Sequence, residues 1–274
     1  MTEIGQRRQA NLELYQFGDS PCCMKVRMVL AEKKLPWQEH FLKSWQFDHH
    51  QPEYLSLNPH GTVPTLIHDG RTIIQSNVIA EYLDDVFPDP ICLIPVDPLL
   101  ASKMRQWMFE EQDYLFKLIV VLSFNTMMKL RVQAFGLDQL KEWSKLHPSQ
   151  IIAQDYLQRV VAPADMEAVK QATEKFRWHM ERLEVQISEI GGPWVCGDMF
   201  TLADICLVPI FDRIEYLNLE NLWEGLPAVT QWYDKIRERD SYLESVHPFE
   251  YRMWGPKKSI EDYPYSEDDY PVDS

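Results

Sequence analysis

Two residues able to do thiol chemistry stand two apart in the stretch Phe17-Gly18-Asp19-Ser20-Pro21-Cys22-Cys23: Ser20 and Cys22. Ser followed by Pro is a helix-start pattern, with Ser at the N-cap and Pro at the first helical position. The Ser20 hydroxyl then lies at the positive end of a helix dipole, a place to hold an anion. A lone Ser-Pro pair is more often a plain cap than a catalyst. The two roles are compatible, because a hydroxyl can accept from the Cys23 amide and still donate outward. Were the outward partner a substrate thiol, a charge-assisted hydrogen bond of roughly 1.5–3 kcal/mol and a dipole contribution of about 0.3–1 kcal/mol would lower its pKa from about 8.5 by roughly one to three units. A thiol that is mostly protonated becomes mostly nucleophile. Cys22 is either a second sulfur in such a site or a small buried residue on the face Cys22, Val26, Val29, Leu30.

Two further stretches could hold a peptide carrying that thiol. Val63-Pro64 precedes a strand; it is either an ordinary trans turn or, if cis, a device that turns the Val63 N–H and C=O outward to pair with an extended main chain. Gln75-Ser76 ends one strand and starts a helix. Ser76 is either a plain cap or, with the Gln75 side chain, a clasp for a carboxylate at a helix N-terminus. A second carboxylate needs a donor from another loop, which His49-His50 could supply unless they are solvated loop residues. Eight histidines include no H-E-x-x-H, and Cys22, Cys23, Cys92, Cys196 and Cys206 have no metal-site spacing, so no metal is assigned. Neighbouring Cys22 and Cys23 have Cα atoms about 3.8 Å apart, below the roughly 4.4–6.8 Å of a disulfide, so reduced thiols are expected.

The elements that must position these groups follow from periodicity. Leu12, Leu14 and Phe17 read as a strand, and a helix runs from Ser20 to about Lys34. A second strand spans Trp37 to Leu42, a helical turn Pro52 to Leu57, and Thr65–His68 with Arg71–Ile74 form a hairpin on Asp69-Gly70. Ser76 caps the next helix, so the first 88 residues make a small α/β domain with a mixed sheet. Pro-rich sequence around Pro90 and Pro98 reads as a linker. From 99 to 248 almost everything reads helical: Leu99 to about Phe135, Gln139 to Leu146, Ala164 to Ile190, Thr201 to Leu217 and Pro227 to Val246. Thr201 and Asp204 form a capping box with Phe200 stapled on Ile205, a purely structural signal whose loss in Asp204→Ala should cost about 1 kcal/mol. Residues 249–274 form an acidic, Pro- and Tyr-rich extension, either extended or lying over a neighbouring surface.

With 274 residues, 45% hydrophobic, the chain can bury a full core, and its net charge of -15 argues against nucleic acid or anionic membranes as partners. Met1 to Ala10 lacks the apolar run of a signal peptide and no run of about 18 apolar residues occurs, so a cytoplasmic location is expected.

Taken together, Ser20 to Arg27, His49 to Pro59, Val63-Pro64-Thr65-Leu66, Gln75-Ser76 and Thr201-Leu202-Ala203-Asp204 resemble the cytosolic glutathione transferases over nearly the whole chain before the tail. The resemblance implies a thioredoxin-like domain followed by an all-α domain, glutathione as cofactor, and a homodimer. It makes Ser20 the hydroxyl that stabilises the glutathione thiolate, Val63, with Pro64 behind it, the main-chain partner of the cysteinyl residue, and Gln75 with Ser76 the clasp on the γ-glutamyl end. His49 becomes the contact to the glycine carboxylate, ahead of His50. The Ser-x-Cys order is similar to maleylacetoacetate isomerases and tetrachlorohydroquinone dehalogenases, which makes Cys22 a second catalytic candidate, while the first domain also resembles bacterial β-etherases. Expected chemistry is therefore addition or substitution of the glutathione thiol on a hydrophobic, aromatic electrophile, as in lignin-type aryl ether cleavage; a Cys22-dependent dehalogenase or isomerase and a non-catalytic scaffold are the alternatives. The acceptor site is expected between the domains, lined by Phe17 and by Trp107 and Tyr114 of the long helix, with Met104, Met108, Met127 and Met128 nearby.

Overall fold

The computed structural model describes residues 11–130 and 135–246. The expected acidic extension, 249–274, lies outside the described residues. Strand β1 (Leu12–Gln16) alternates buried and half-buried side chains and occupies the interior of a four-stranded sheet of order β2-β1-β3-β4. It pairs in parallel with β2 (Gln38–Phe41) and antiparallel with β3 (Thr65–His68), so Leu14 lies between Glu39 and Leu66. The hairpin from β3 to β4 (Arg71–Ile74) turns on Asp69 and Gly70, both at positive φ (48° and 79°), the requirement of a tight two-residue hairpin that Asp-Gly meets at little cost.

Helix α1 (Pro21–Glu32) crosses from β1 to β2 and is buried at every position from Cys23 to Leu30. One side rests with α3 (Ser76–Val86) on the sheet unit, and the other packs against helices from the second half of the chain. A helix buried all round has no solvent stripe, and Lys25 and Arg27 are consequently inside the protein. The loop before β3 contains the short helix α2 (Pro52–Leu55) and a cis Val63–Pro64 bond. This is the thioredoxin-like half of the fold.

The rest is helical: α4 (Pro98–Glu110), a π-turn (Glu111–Leu115), α5 (Phe116–Phe124), α6 (Leu137–Ser144), α7 (Gln150–Val161), α8 (Met166–Ile190), α9 (Leu202–Tyr216), α10 (Pro227–Arg237) and α11 (Asp240–Ser245). Helix α9 is the axis of this half, buried from Leu202 to Ile214 and packed on α1. Its capping box is present, yet Asp204 does more than cap: the fully buried carboxylate accepts from Thr201 N (2.8 Å), Thr201 Oγ1 (3.0 Å), Val195 N (3.0 Å) and the Trp232 indole (2.8 Å). One apolar core runs from Leu12 through α1 and α9 to Ile236, joining the two halves. Among the described residues, no helix is long and apolar enough to cross a membrane.

Four points of the sequence reading are corrected. The long helix from Leu99 is interrupted, because the π-turn at Glu111 inserts a residue and shifts the phase of everything beyond it. The stretch expected as one helix from Pro227 to Val246 is two, divided at Glu238-Arg239. Helix α7 is absent from the sequence reading altogether; its buried positions include only Ala153 and Val160, while Ile151 is 81% exposed, so no apolar stripe marks it. A quieter signal was present in Ser149, which caps it by accepting from Ile152 N. At the start of α3, Gln75 rather than Ser76 holds the N-cap place, at φ 72°, and Ser76 is the first helical residue.

Candidate functional site

Ser20 sits at the N-cap of α1, half-buried, and its hydroxyl accepts from Cys23 N at 3.4 Å. An accepting hydroxyl keeps its own proton available to a partner outside the helix. The loop that delivers it is held from behind by Arg27, whose guanidinium donates to the carbonyls of Phe17 (3.3 Å), Gly18 (2.8 Å) and Ser245 (2.9 Å) and to the Gln16 side chain.

Cys22, in the first turn of α1, is brought against Ser76. Burial pushes its thiol pKa up, against the pull of the Lys25 ammonium and of a hydrogen bond with the Ser76 side chain, so the group rests as a protonated thiol. Cys23 belongs to the core, its pKa pushed up by burial to about 12. All five cysteines are free. Behind Ser76, the Lys25 ammonium bonds Asn77 Oδ1 (3.0 Å) and the buried Glu111 carboxylate (2.8 Å), tying the start of α3 to the π-turn. Gln75 is exposed at the end of β4. On the third loop, the carbonyl of Thr62 receives the Tyr54 hydroxyl (2.5 Å) and Asn58 Nδ2 (2.8 Å), which sets the approach to half-buried Val63 and buried Pro64.

His49 is half-buried and His50 buried. They wall a pocket of about 220 Å³ together with Phe17, Phe47, Met128 and Tyr156. His49 meets Phe17 edge-on at 4.8 Å, and His50 lies 3.9 Å from His49 and 4.4 Å from His147. Burial, helped by His147, lowers the His50 pKa to about 4, so this ring is neutral near pH 7 and brings no charge to a carboxylate. Phe47, in the left-handed region at φ 54°, drives its ring between α6 and α7 beside Leu140 and Val160. The far wall of the pocket is supplied by α6 and α7, through Ser144, His147, Ile152 and Tyr156, residues the sequence reading did not single out.

Phe17 and Met128 are therefore brought together in this pocket, but Trp107 and Tyr114 are not among its lining. Trp107 lines a groove with Trp178 and Arg182, and Tyr114 is half-exposed against His179 and Phe109. For Tyr114 the π-turn is the reason: it turns Glu111 and Leu115 inward, and Tyr114 ends on the outer side. Met104, Met108 and Met127 are core. Among the described residues, no three His, Cys, Asp or Glu side chains converge as metal ligands.

Comparison with known proteins matches the glutathione S-transferase N-terminal domain over residues 19–86 and the C-terminal domain over residues 139–240. Among curated proteins, the chain is 28% identical to Protein LigF of Sphingobium sp. strain SYK-6, over 85% of this chain and 92% of that one. It is 29% identical to a probable maleylacetoacetate isomerase 1 of Drosophila melanogaster (86% and 80%) and 28% identical to a stringent starvation protein A homolog of Histophilus somni (82% and 84%). The crystal structure of beta-etherase LigF superposes with a TM-score of 0.78 at 26% identity, covering 86% of this chain and 98% of that one. On its fold, its two matched domains and these relatives, the chain belongs to the glutathione S-transferase family.

Proposed function

We propose that this protein is a glutathione-dependent transferase in which the Ser20 hydroxyl holds the glutathione sulfur as a thiolate for attack on an aromatic electrophile, in the manner of a β-etherase. The observation that carries the reading is the half-buried Ser20 hydroxyl at the N-cap of α1, where it accepts from Cys23 N. In the reaction, glutathione loses its thiol proton to solvent. The thiolate electron pair forms an S–C bond to the electrophile, and the leaving group departs with the pair of the broken bond. Val63 lies on the loop that would pair with the cysteinyl main chain, Gln75 and Ser76 at the helix start that would take the γ-glutamyl carboxylate, and His49 at the far end, toward the glycine. The acceptor ring occupies the pocket walled by Phe17 and Met128. This assigns glutathione to residues 1–88 and the electrophile mainly to 99–248. A second copy docks on the face that exposes Val78, Phe109, Tyr114 and Trp178, and the protein works in the cytoplasm.

The test is a titration of thiolate absorbance in the glutathione complex. Ser20→Ala should raise the pKa of the bound thiol by more than about one unit while glutathione affinity falls little; an unchanged pKa rejects Ser20. Absence of binding at millimolar glutathione would instead leave the fold as a scaffold. A second reading is a mixed disulfide with glutathione at Cys22, as in a dehalogenase-like enzyme; it needs substrate binding to offset the burial that raises the Cys22 pKa. Full activity in Cys22→Ser without a glutathione adduct in the wild type would remove it.

A further inference from the structure

Three successive carbonyls of the loop before α1 turn inward onto buried guanidinium groups. Phe17 O and Gly18 O meet Arg27, which belongs to α1 itself. Asp19 O meets Arg213 Nη2 at 2.9 Å, and Arg213 belongs to α9, 194 residues further along the chain. The same guanidinium donates from Nη1 to Ser123 Oγ (3.2 Å) near the end of α5. One planar fork thus joins α5 and α9 to the peptide linking Asp19 to Ser20.

The cis bonds among the described residues are Val63–Pro64 and Asp89–Pro90, so the Asp19–Ser20 peptide is trans. In a trans peptide the C=O and the following N–H point to opposite sides. Holding the Asp19 carbonyl on Arg213 directs the Ser20 N–H to the other face of the loop, away from the guanidinium. The buried cation also stands close enough to the mouth of α1 to pull on the Cys22 thiol. Charged and titratable groups around this loop, besides Arg213, are Asp19, Cys22, Cys23, Lys25, Arg27, Glu39, Glu111 and Asp212, whose carboxylate is itself buried.

We infer that Arg213 is a positioning residue for Ser20: its bond to the Asp19 carbonyl sets the orientation of the peptide that presents the Ser20 N–H and hydroxyl to the thiolate, coupling the thiol site to α5 and α9. This inference rests on the role proposed for Ser20. Arg213 does not touch the reacting sulfur; it acts through the loop.

The experiment compares wild type, Arg213→Met, Arg213→Lys and Ser123→Ala, each checked for folding, by titrating thiolate absorbance with glutathione and by the pH profile of kcat/KM with a chlorinated dinitrobenzene. Arg213→Met should raise the bound thiol pKa by about one unit and lower kcat/KM about tenfold below that pKa, with KM for glutathione within about twofold. Lys keeps the charge without the fork, so Arg213→Lys should retain at least half of the shift. Ser123→Ala, which removes the α5 acceptor and leaves the bond to the Asp19 carbonyl in place, should shift the pKa in the same direction by a few tenths. An unchanged thiol pKa in Arg213→Met, or in Ser123→Ala if the former does not fold, overturns the inference, as does full restoration by Lys, which would make charge alone the cause. A wild type that binds glutathione without forming thiolate would instead overturn the role of Ser20.

Discussion

Removing the Asp204 carboxylate tests how the helical half is held together. As a cap alone, Asp204→Ala should cost about 1 kcal/mol. The structure raises that figure. Truncation deprives three N–H groups, those of Val195, Thr201 and Trp232, of their acceptor, and all three residues are buried to within 1% of complete. Each buried donor left without a partner costs about 1–3 kcal/mol. Burial also raises the Asp204 pKa, its four hydrogen bonds pulling the other way, so deleting the charge returns part of the loss. The net expectation is about 3–4 kcal/mol. At an m-value near 3 kcal/mol/M this moves the urea midpoint down by about 1 M. With a folded-state pKa above the usual carboxylate value, the folded protein holds a proton that the unfolded chain has already released, so the contribution of this group to stability declines as pH rises through that window. Asp204→Asn should abolish the slope and, by aiming an amide N–H₂ at existing donors, still destabilise. Glutathione binding per folded molecule should not change in either variant. A midpoint shift matching 1 kcal/mol or less, or a selective loss of binding at unchanged stability, would refute the reasoning.

Two further perturbations have defined outcomes. Lys25→Met leaves the Glu111 carboxylate buried without its cation and should destabilise by about 3–5 kcal/mol, whereas Lys25→Met with Glu111→Leu should recover most of that, read as a double-mutant cycle in urea; equal losses in single and double variants would show that the pair is not the cause. The His50 ring stays neutral down to about pH 4 in the folded state but protonates near 6.5 when unfolded, so stability present above pH 6.5 is lost as pH falls toward 4, by about 2 kcal/mol after allowing for solvent screening. His50→Gln should flatten that decline in chemical denaturation between pH 7 and pH 4.5, and an equally steep decline in the variant assigns it elsewhere.

What could be read from sequence was whatever short-range rules decide. Ser20-Pro21 starts α1, Asp69-Gly70 turns the hairpin, and Thr201 with Asp204 opens α9, because each depends on backbone groups within about four residues. The phase of the α4–α5 segment beyond Glu111 depends instead on one extra residue in a turn, which no composition signals, and with it went the expected placement of Tyr114. Helix α7 was hidden because its partner is the Phe47 ring, about a hundred positions earlier, and two buried contacts do not make a stripe.

The charged residues of α1 and α9 were the more informative omission. On the surface a Lys or Arg needs no explanation, but Lys25 and Arg27 interrupt a helix that is otherwise apolar on both sides, and Arg213 stands inside a buried run from Leu202 to Ile214. A cation so placed must find carbonyls or a carboxylate, because leaving it unpaired costs more than the packing around it returns. The acceptors found here for the two arginines are backbone carbonyls of the loop that builds the site, Phe17, Gly18 and Asp19 before Ser20, and for Lys25 the Asn77 side chain at the start of α3 together with the Glu111 carboxylate. Buried cations in an apolar helix therefore point to the loops they hold, and here all three of them converge on the start of α1 or α3, where the thiol peptide is proposed to lie.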